Sequence, residues 1–422
     1  MSVPPSGRDD CLALDAADPL APLRELFDLP DGVIYLDGNS LGALPRATAA
    51  RVAEVVRDEW GRGLIGSWNT AGWMGLPRRV GDQIARLVGA GPGELVAADS
   101  TSVNLYKVLS AALALARAGA PQRRTIVSEA SNFPTDLYVA EAVARAQGLA
   151  LRLVEADALP RALDERCAVL LLTQVNYRSG RLHDMAALSA AAHAAGALTV
   201  WDLAHSAGAL PVDLHGSGAD FAVGCGYKYL NGGPGAPAFV WAHPRHAARA
   251  VQPLAGWMGH AAPFDFAPGY APAPGVARFL CGTPPVLGLA ALEAGVETLL
   301  AAEPLGGLAA LRAKSVALGE LFIALVESRC AGHGLVLASP RDPQQRGSQV
   351  SFGRADGGYA VMQALIARGV VGDFRAPDVL RFGFAPLYTR HVDVWDAVER
   401  LRGVLDTQEW QRPEFNRRQA VT

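Results

Sequence analysis

The sequence predicts an α/β protein: a doubly wound, mainly parallel sheet followed by a smaller α+β domain at the C-terminal end. Three observations lead there. From residue 124 to residue 242 short β-rich runs alternate with helical patterns, as parallel strands joined by crossover helices require. Several of these runs end in polar or reactive residues, and in open α/β sheets the strand ends face the ligand crevice. Beyond Leu289 the pattern changes to long helices separated by a few strand-like runs.

The first 30 residues form a polar, Pro-containing lead-in with a short helical pattern over residues 20–27. A strand-like VIYLD opens into the loop 37–45, where Gly38 and Asn39 signal a turn, and Pro45 with Arg46 suits the start of a helix reaching Trp60. Residues 61–73, GRGLIGSWNTAGW, carry Gly and Trp without periodicity and read as a loop. Singly, Trp60, Trp68 and Trp73 are more typical of core plugs; as a set on such a loop they suit an aromatic ligand. Residues 95–97 read as a strand, 99–102 as a polar turn, and the run to 116 as a helix capped by Ser100, Thr101 or Ser102. A plain cap is the commoner use of such hydroxyls, yet hydroxyls and free amides at a helix start also suit a phosphate.

The alternation then runs TIVSE (strand), 134–146 (helix), LRLVEA and AVLLLTQV (strands), 184–195 (helix), and LTVWD, DFAVGC and PAFVWA (strands). Phe133, just before a helix, is either a hydrophobic staple or a ring free to stack on a ligand. Residues 251–288 are rich in Pro and Gly and read as an irregular crossing between domains. Helices over 290–300 and 308–330, strand-like GLVLAS and QVSFG, a helix over 359–368, VLRFGFA and a helix over 391–405 complete the smaller domain. From Gln408 onward the chain reads as a frayed polar end.

At 422 residues the chain has room for two or three domains, and with half its residues hydrophobic and 19% charged it reads as an ordinary soluble globular protein. A formal charge of −3 with no basic block argues against nucleic acid as a partner. The five cysteines are widely spaced and form no C-x-x-C pair, so neither a metal site nor a disulfide framework is expected, and a reducing cytoplasm fits. Arg8, Asp9 and Asp10 precede any apolar run, which argues against a signal peptide. The longest apolar stretch, from Met185 to Trp201, holds His193 and Gly196 and reads as a buried helix and strand, so no membrane span is expected.

Two strand ends carry the chemistry. One delivers Asp202 and the next Tyr227 and Lys228. A lysine can condense with the aldehyde of pyridoxal 5'-phosphate, and a carboxylate beside the pyridine nitrogen keeps that ring protonated and electron-accepting. Alone, Asp202 reads as a turn or cap residue and Lys228 as a solvated lysine. The frame of Gly224, Gly226, Gly232, Gly233 and Gly235 suggests instead a backbone passing close to a ligand. A dinucleotide motif fails, because G-x-G-x-x-G needs glycine where Tyr229 stands.

The strings YLDGNSLG, EWGRGLIGSW, DSTSVNLYK, SNFPTD, LLTQVNYRSG, WDLAHSAGALPVDLH, GCGYKYLNGGPG and GDFRAPDVLRFGFAPLY stand in one order between Tyr35 and Tyr388. Together they resemble the kynureninase family, aminotransferase-like fold-type I enzymes that use pyridoxal 5'-phosphate. The resemblance implies a seven-stranded-type sheet in a large domain over residues 51–288, a small domain over 289–422, and an N-terminal segment, 1–50, contributing to the small domain and the dimer. It implies hydrolytic Cβ–Cγ cleavage of L-kynurenine to anthranilate and L-alanine, in tryptophan catabolism by the kynurenine pathway and in NAD biosynthesis. Lys228 would hold the cofactor, Asp202 would pair with its ring nitrogen, and His205 would sit beside the ring, although without the family it reads as a buried helix-start histidine. Phe133 would stack on the ring, Asp136 would support its edge, and Thr101, Ser102 and Tyr227 would bind the phosphate. Trp257 and Thr283 would reach that phosphate from the second subunit of a homodimer with shared active sites. Arg375 would clamp the substrate carboxylate, a task its planar fork suits. Trp68, Asn39 and Gly282 would complete the substrate site, and Tyr227 would relay protons.

Trp68 stands where vertebrate-like members carry histidine, and Gly282-Thr283 where they carry Ser-Asn, which favours plain L-kynurenine over its 3-hydroxy form. A cysteine desulfurase or selenocysteine lyase is the rival on the same fold, and it would need Cys330, at a helix end, as its thiolate. A non-catalytic cofactor-binding module is the rival of another class. It would usually carry a DNA-binding arm, and no basic helix-turn-helix segment is evident.

Overall fold

Short β-rich runs bounded by turn residues pair into a seven-stranded sheet in the computed structural model, which describes residues 7–419. The strands are β1 (Leu95–Ala97), β2 (Thr125–Glu129), β3 (Ala150–Val154), β4 (Cys167–Thr173), β5 (Leu198–Asp202), β6 (Phe221–Gly224) and β7 (Phe239–Ala242). Their order is β1-β7-β6-β5-β4-β2-β3. Strands β2 to β6 are all parallel, and β7 alone runs against its neighbours β1 and β6. Every residue of β4 is buried, as expected of a parallel strand covered on both faces. Because β2, β4, β5 and β6 point the same way, their last residues share one edge. Glu129 and Asp202 are the last residues of β2 and β5.

The described chain divides into two units. The larger holds Thr48–Asn176 and His183–Val296, and the smaller holds residues 7–47, 177–182 and 297–419. In the larger unit, helices α1 (Thr101–Ala118) and α2 (Pro134–Gln147) contribute Leu105, Val108, Leu109 and Ala140 to a core with Val169, Val200 and Val223 of the sheet. In the smaller unit β8 (Val336–Leu337), β9 (Gln349–Gly353), β10 (Asp373–Arg375) and β11 (Val379–Gly383) form an antiparallel sheet ordered β8-β9-β11-β10. Phe322 packs on Phe352, Phe382 and Phe384 with ring centroids 4.7 to 6.0 Å apart. Burying each such ring contributes about 2–3 kcal/mol.

Several local expectations are revised. The lead-in contains a helix, Arg8–Ala16, and the reason is tertiary: Cys11 is buried, Arg8 pairs with Asp396, and Asp15 accepts the amides of His391 and Val392. The helix from Arg46 widens after Glu54 into a π-helical turn, Val55–Trp60. The Gly/Trp stretch is a chain of short turns, Leu64–Gly66, Ser67–Thr70 and Trp73–Gly75, followed by a helix, Leu76–Leu87, that the periodicity reading passed over. Residues 251–288 are irregular but stay in the larger unit, where Arg278 donates to the carbonyls of Ala248 and Ala250. The chain leaves that unit later, inside the helix Val286–Leu300, and it also lends residues 177–182 to the smaller one. The polar end is held down to Asn416, with Glu409 paired to Arg368 and Trp410 stacked on Arg354; residues 420–422 lie outside the described chain. Among the described residues no helix is long and apolar enough to cross a membrane, and no group of three His, Cys, Asp or Glu side chains could hold a metal ion.

Candidate active site

Beyond β6 the chain folds back tightly over itself. A Cβ at Gly226 would lie 2.2 Å from the Pro237 carbonyl oxygen, and one at Gly224 would enter the Phe239 ring. These glycines answer to protein packing rather than to a ligand; Gly233 and Gly235, with φ of 82° and 72°, make the turn. The fold-back buries Lys228. Its Nζ lies 2.8 Å from His205 Nε2 and 5.7 Å from the ring centroids of both Phe133 and Tyr227. With Lys228 as the ammonium, Nε2 of His205 accepts and Nδ1 carries the imidazole proton.

Asp202, 3% exposed, receives the Ala204 amide at 2.8 Å. Burial raises its carboxyl above the ordinary range, and the nearby Lys228 charge pulls it back. Asp136, in the first turn of α2 and equally enclosed, is pushed well above the ordinary range by burial and then by the negative charge of Asp202. Its Oδ2 has no donor among the described residues. Burial opposes ionising both of these neighbouring carboxyls, and the Asp202 charge opposes it further at Asp136, while the Lys228 charge favours the ionised form of Asp202. A ring nitrogen bearing a proton is the donor this pair lacks.

The start of α1 is prepared for an anion. Ser100 is the cap, accepting the Val103 amide, which leaves Thr101 and Ser102 as the first helical residues. Before them Asp99 adopts φ 52°, a conformation aspartate tolerates, and its carboxylate is held at 2.6 Å by Lys107. Lys107 is 0% exposed and also donates to the Phe279 carbonyl at 2.5 Å. A cavity of about 540 Å³ opens here, lined among others by Thr101, Cys225, Tyr227 and Thr283. The amine, the enclosed acid pair, the flat ring of Phe133 and the helix start together fit pyridoxal 5'-phosphate.

Trp68 packs edge-on against Trp73 and Trp257, at 6.0 and 5.7 Å, and Trp257 continues to Phe264 at 6.0 Å. Trp73 is fixed through its indole N–H, which donates to Glu59 at 2.6 Å. Trp257 therefore belongs to this aromatic cluster and does not line the Thr101 cavity, whereas Thr283 does. Gly282 faces open space. In the smaller unit Arg375 ends β10 with its side chain 42% exposed and its guanidinium 2.8 Å from Asp373. Asn39 is 0% exposed and packs against Gly383, where a Cβ would lie 2.0 Å from its Oδ1. Cys330 is 2% exposed, and burial, with Asp406 and Glu399, pushes its thiol up to about 12, so it is no nucleophile.

Sequence reasoning missed the polar scaffold behind Phe133. His183 Nε2 lies 2.8 Å from Glu129, Asn176 donates to the carbonyl and hydroxyl of Ser131 at 3.0 Å, and the side-chain oxygen of Asn132 receives the amides of Phe133 and Thr173. These groups fix the loop that presents Phe133. The one available signal was the run of polar residues after each strand.

Residues 311–401 match the kynureninase C-terminal domain family. Over 98% of its length the chain is 58% identical to a kynureninase of Burkholderia pseudomallei and 56% identical to one of Pseudomonas fluorescens, covering 99% of each. In fold it is similar to a cysteine desulfurase from Thermococcus onnurineus, with TM-score 0.77, 20% identity, and 92% of this chain and 98% of that one covered. The Escherichia coli cysteine desulfurase CsdA gives TM-score 0.76 at 22% identity and the same coverage. A C-DES variant described with glycine covalently linked to its PLP cofactor gives 0.77 at 17%, covering 90% and 98%. At such identities these likenesses show the fold alone: the fold-type I architecture expected from the sequence.

Proposed function

The chain belongs to the kynureninase family, and on that premise we propose how its residues divide the work of pyridoxal 5'-phosphate-dependent kynurenine hydrolysis. The enzyme splits the Cβ–Cγ bond of L-kynurenine with water, giving anthranilate and L-alanine. The cofactor, when bound, supplies an electron sink for the pair left on the amino-acid carbons.

The chain's own groups bind, orient and move protons. Lys228 holds the cofactor and moves the Cα proton, with His205 steadying its amine at 2.8 Å. Asp202 would hold the cofactor's ring nitrogen, with Asp136 backing it. Phe133 would cover the ring, and Thr101, Ser102 and Tyr227 would bind the phosphate. The Tyr227 phenol, 5.7 Å from Lys228 Nζ by its ring centre, gives and takes the later protons. Arg375 binds the substrate carboxylate, and Trp68, Asn39 and Gly282 shape the site around the rest of the substrate. Trp257 and Thr283 serve the phosphate of a second subunit, which makes the protein a homodimer. Its place is the cytoplasm and the kynurenine pathway, upstream of NAD. Plain L-kynurenine is preferred to 3-hydroxykynurenine, since Trp68 offers an apolar edge where the 3-hydroxyl would need a partner.

The observation that carries this reading is the buried Lys228 amine between two aromatic rings, within the electrostatic reach of Asp202. The test is an absorbance spectrum of the purified protein, then anthranilate fluorescence after adding L-kynurenine. Cofactor absorbance and growing fluorescence in the wild type, both lost in Lys228→Ala, are expected. Unchanged turnover in Lys228→Ala would refute it.

A further inference from the structure

We propose that Asp37 is a positioning residue that couples binding of the substrate carboxylate at Arg375 to uptake of a proton. The inference rests on the reading of Arg375 as the carboxylate clamp and deepens it.

Four charged side chains from three segments of the smaller unit converge: Asp37 beyond the strand Ile34–Tyr35, Asp373 and Arg375 on β10, and Arg381 on β11. Asp37 is tied to the end of β11 by a backbone bridge to Gly383. Both guanidinium groups lean on the same atom, since Asp373 Oδ2 lies 2.8 Å from Arg375 and 2.7 Å from Arg381. The Ser40 hydroxyl lies 2.9 Å from that oxygen and itself receives an Arg381 N–H at 3.1 Å. Other nearby donors point elsewhere: the Tyr35 hydroxyl donates to the Leu41 carbonyl, and a second Arg381 nitrogen and the Gln349 amide both donate to the Tyr177 carbonyl. Of the Asp37 carboxylate, Oδ1 is enclosed without a donor among the described residues, as is Oδ1 of Asp373.

An ionised carboxylate so placed is costly, and a protonated one is not. Burial and then the negative charge of Asp373 push the Asp37 carboxyl up to about 7, against the pull of Ser40, Arg381 and Arg375. With both acids ionised the two carboxylates and two guanidinium groups balance. A third carboxylate, arriving on the exposed side of Arg375, leaves one negative charge in excess. The least costly relief is a proton on Asp37, the acid already nearest its titration point. As pH rises through about 7 that proton is lost and the bound carboxylate is repelled, so affinity falls with rising pH.

The experiment measures KM and kcat for L-kynurenine in the holoenzyme from pH 6 to 8.5, for wild type, Asp37→Asn and Arg375→Lys. Titration calorimetry with L-alanine, in two buffers of different ionisation enthalpy, counts protons taken up. We expect wild-type KM to rise by up to about tenfold per pH unit above 7, and this added slope to vanish in Asp37→Asn. Wild type should take up a fraction of a proton per L-alanine near pH 7.5 and almost none at pH 6, a result that needs no variant to fold. Wild-type and Asp37→Asn slopes that coincide, or no uptake by wild type at pH 7.5, would overturn the coupling while leaving the clamp intact. If Arg375→Lys leaves KM unaltered at every pH, the clamp reading itself fails.

Discussion

Lys107→Met removes a buried cation whose two contacts, to the Asp99 carboxylate at 2.6 Å and the Phe279 carbonyl at 2.5 Å, hold the turn before Thr101. Methionine fills the space of the aliphatic stem, so little of the loss comes from packing. Two hydrogen bonds from a charged donor are worth about 1.5–3 kcal/mol each. Asp99 is 29% exposed, so water takes up part of its freed charge, and the loss comes to about 4 kcal/mol. For a unit of this size that lowers the midpoint of thermal unfolding by about 8–16 °C. With Asp99 released, the hydroxyls of Thr101 and Ser102 lose their fixed aim, and cofactor affinity should fall by about tenfold, a change of about 1.4 kcal/mol. Calorimetric unfolding of the apo and cofactor-loaded protein, with an absorbance titration of the cofactor, measures both. Adding Asp99→Asn removes the stranded charge and should recover more than about 1 kcal/mol. A midpoint within about 3 °C of wild type with unaltered cofactor affinity would refute the assignment of Lys107 as the anchor of this turn.

The acid pair should respond unequally. Asp136→Asn still offers Asp202 a donor, so kcat should fall about tenfold or less, whereas Asp202→Asn removes the anion and should cost about 10²–10³-fold in kcat, or about 3–4 kcal/mol; equal losses in steady-state kinetics would refute this division, and a larger loss at Asp136 would reverse it. Far from this edge, Asp220 is a 1% exposed carboxylate held by His193 at 2.8 Å, His246 at 2.7 Å, Arg245 at 2.6 Å and the Thr199 amide at 2.8 Å. Burial alone would raise it, but these donors together hold its carboxyl far below the ordinary range. A depressed acid contributes stability that is complete above its unfolded value near 4 and is lost as pH falls toward the folded value. Asp220→Asn should therefore cost about 3–5 kcal/mol at pH 7, and the gap from wild type should shrink in denaturant titrations below about pH 4. A gap that stays constant down to pH 3 would contradict the hub.

The strands and most helices were legible because their signal is local. AVLLLTQV has the unbroken apolar run of a strand buried on both faces, and Asp184 announces the helix it caps by accepting the Ala187 amide. Lys228 and Asp202 were legible for the same reason, as chemical groups at the ends of readable strands. Less legible was anything set by a distant partner. The helix Arg8–Ala16 exists because residues near 391–396 receive it, and the Gly224–Gly232 frame suggested a ligand where the structure shows packing against Pro237 and Phe239.

By itself the sequence determined the family and the order of the sheet strands and most helices, and it singled out an amine and an acid near two strand ends. Only the tertiary structure decided which charges meet: Lys107 with Asp99 and the Phe279 carbonyl, Glu129 with His183, and Asp37 in the field of Asp373, Arg375 and Arg381. Backbone preference and apolar period act over a few residues and are written along the chain. The cost of an enclosed charge depends on what surrounds it, and those surroundings exist only once segments hundreds of positions apart have been brought together.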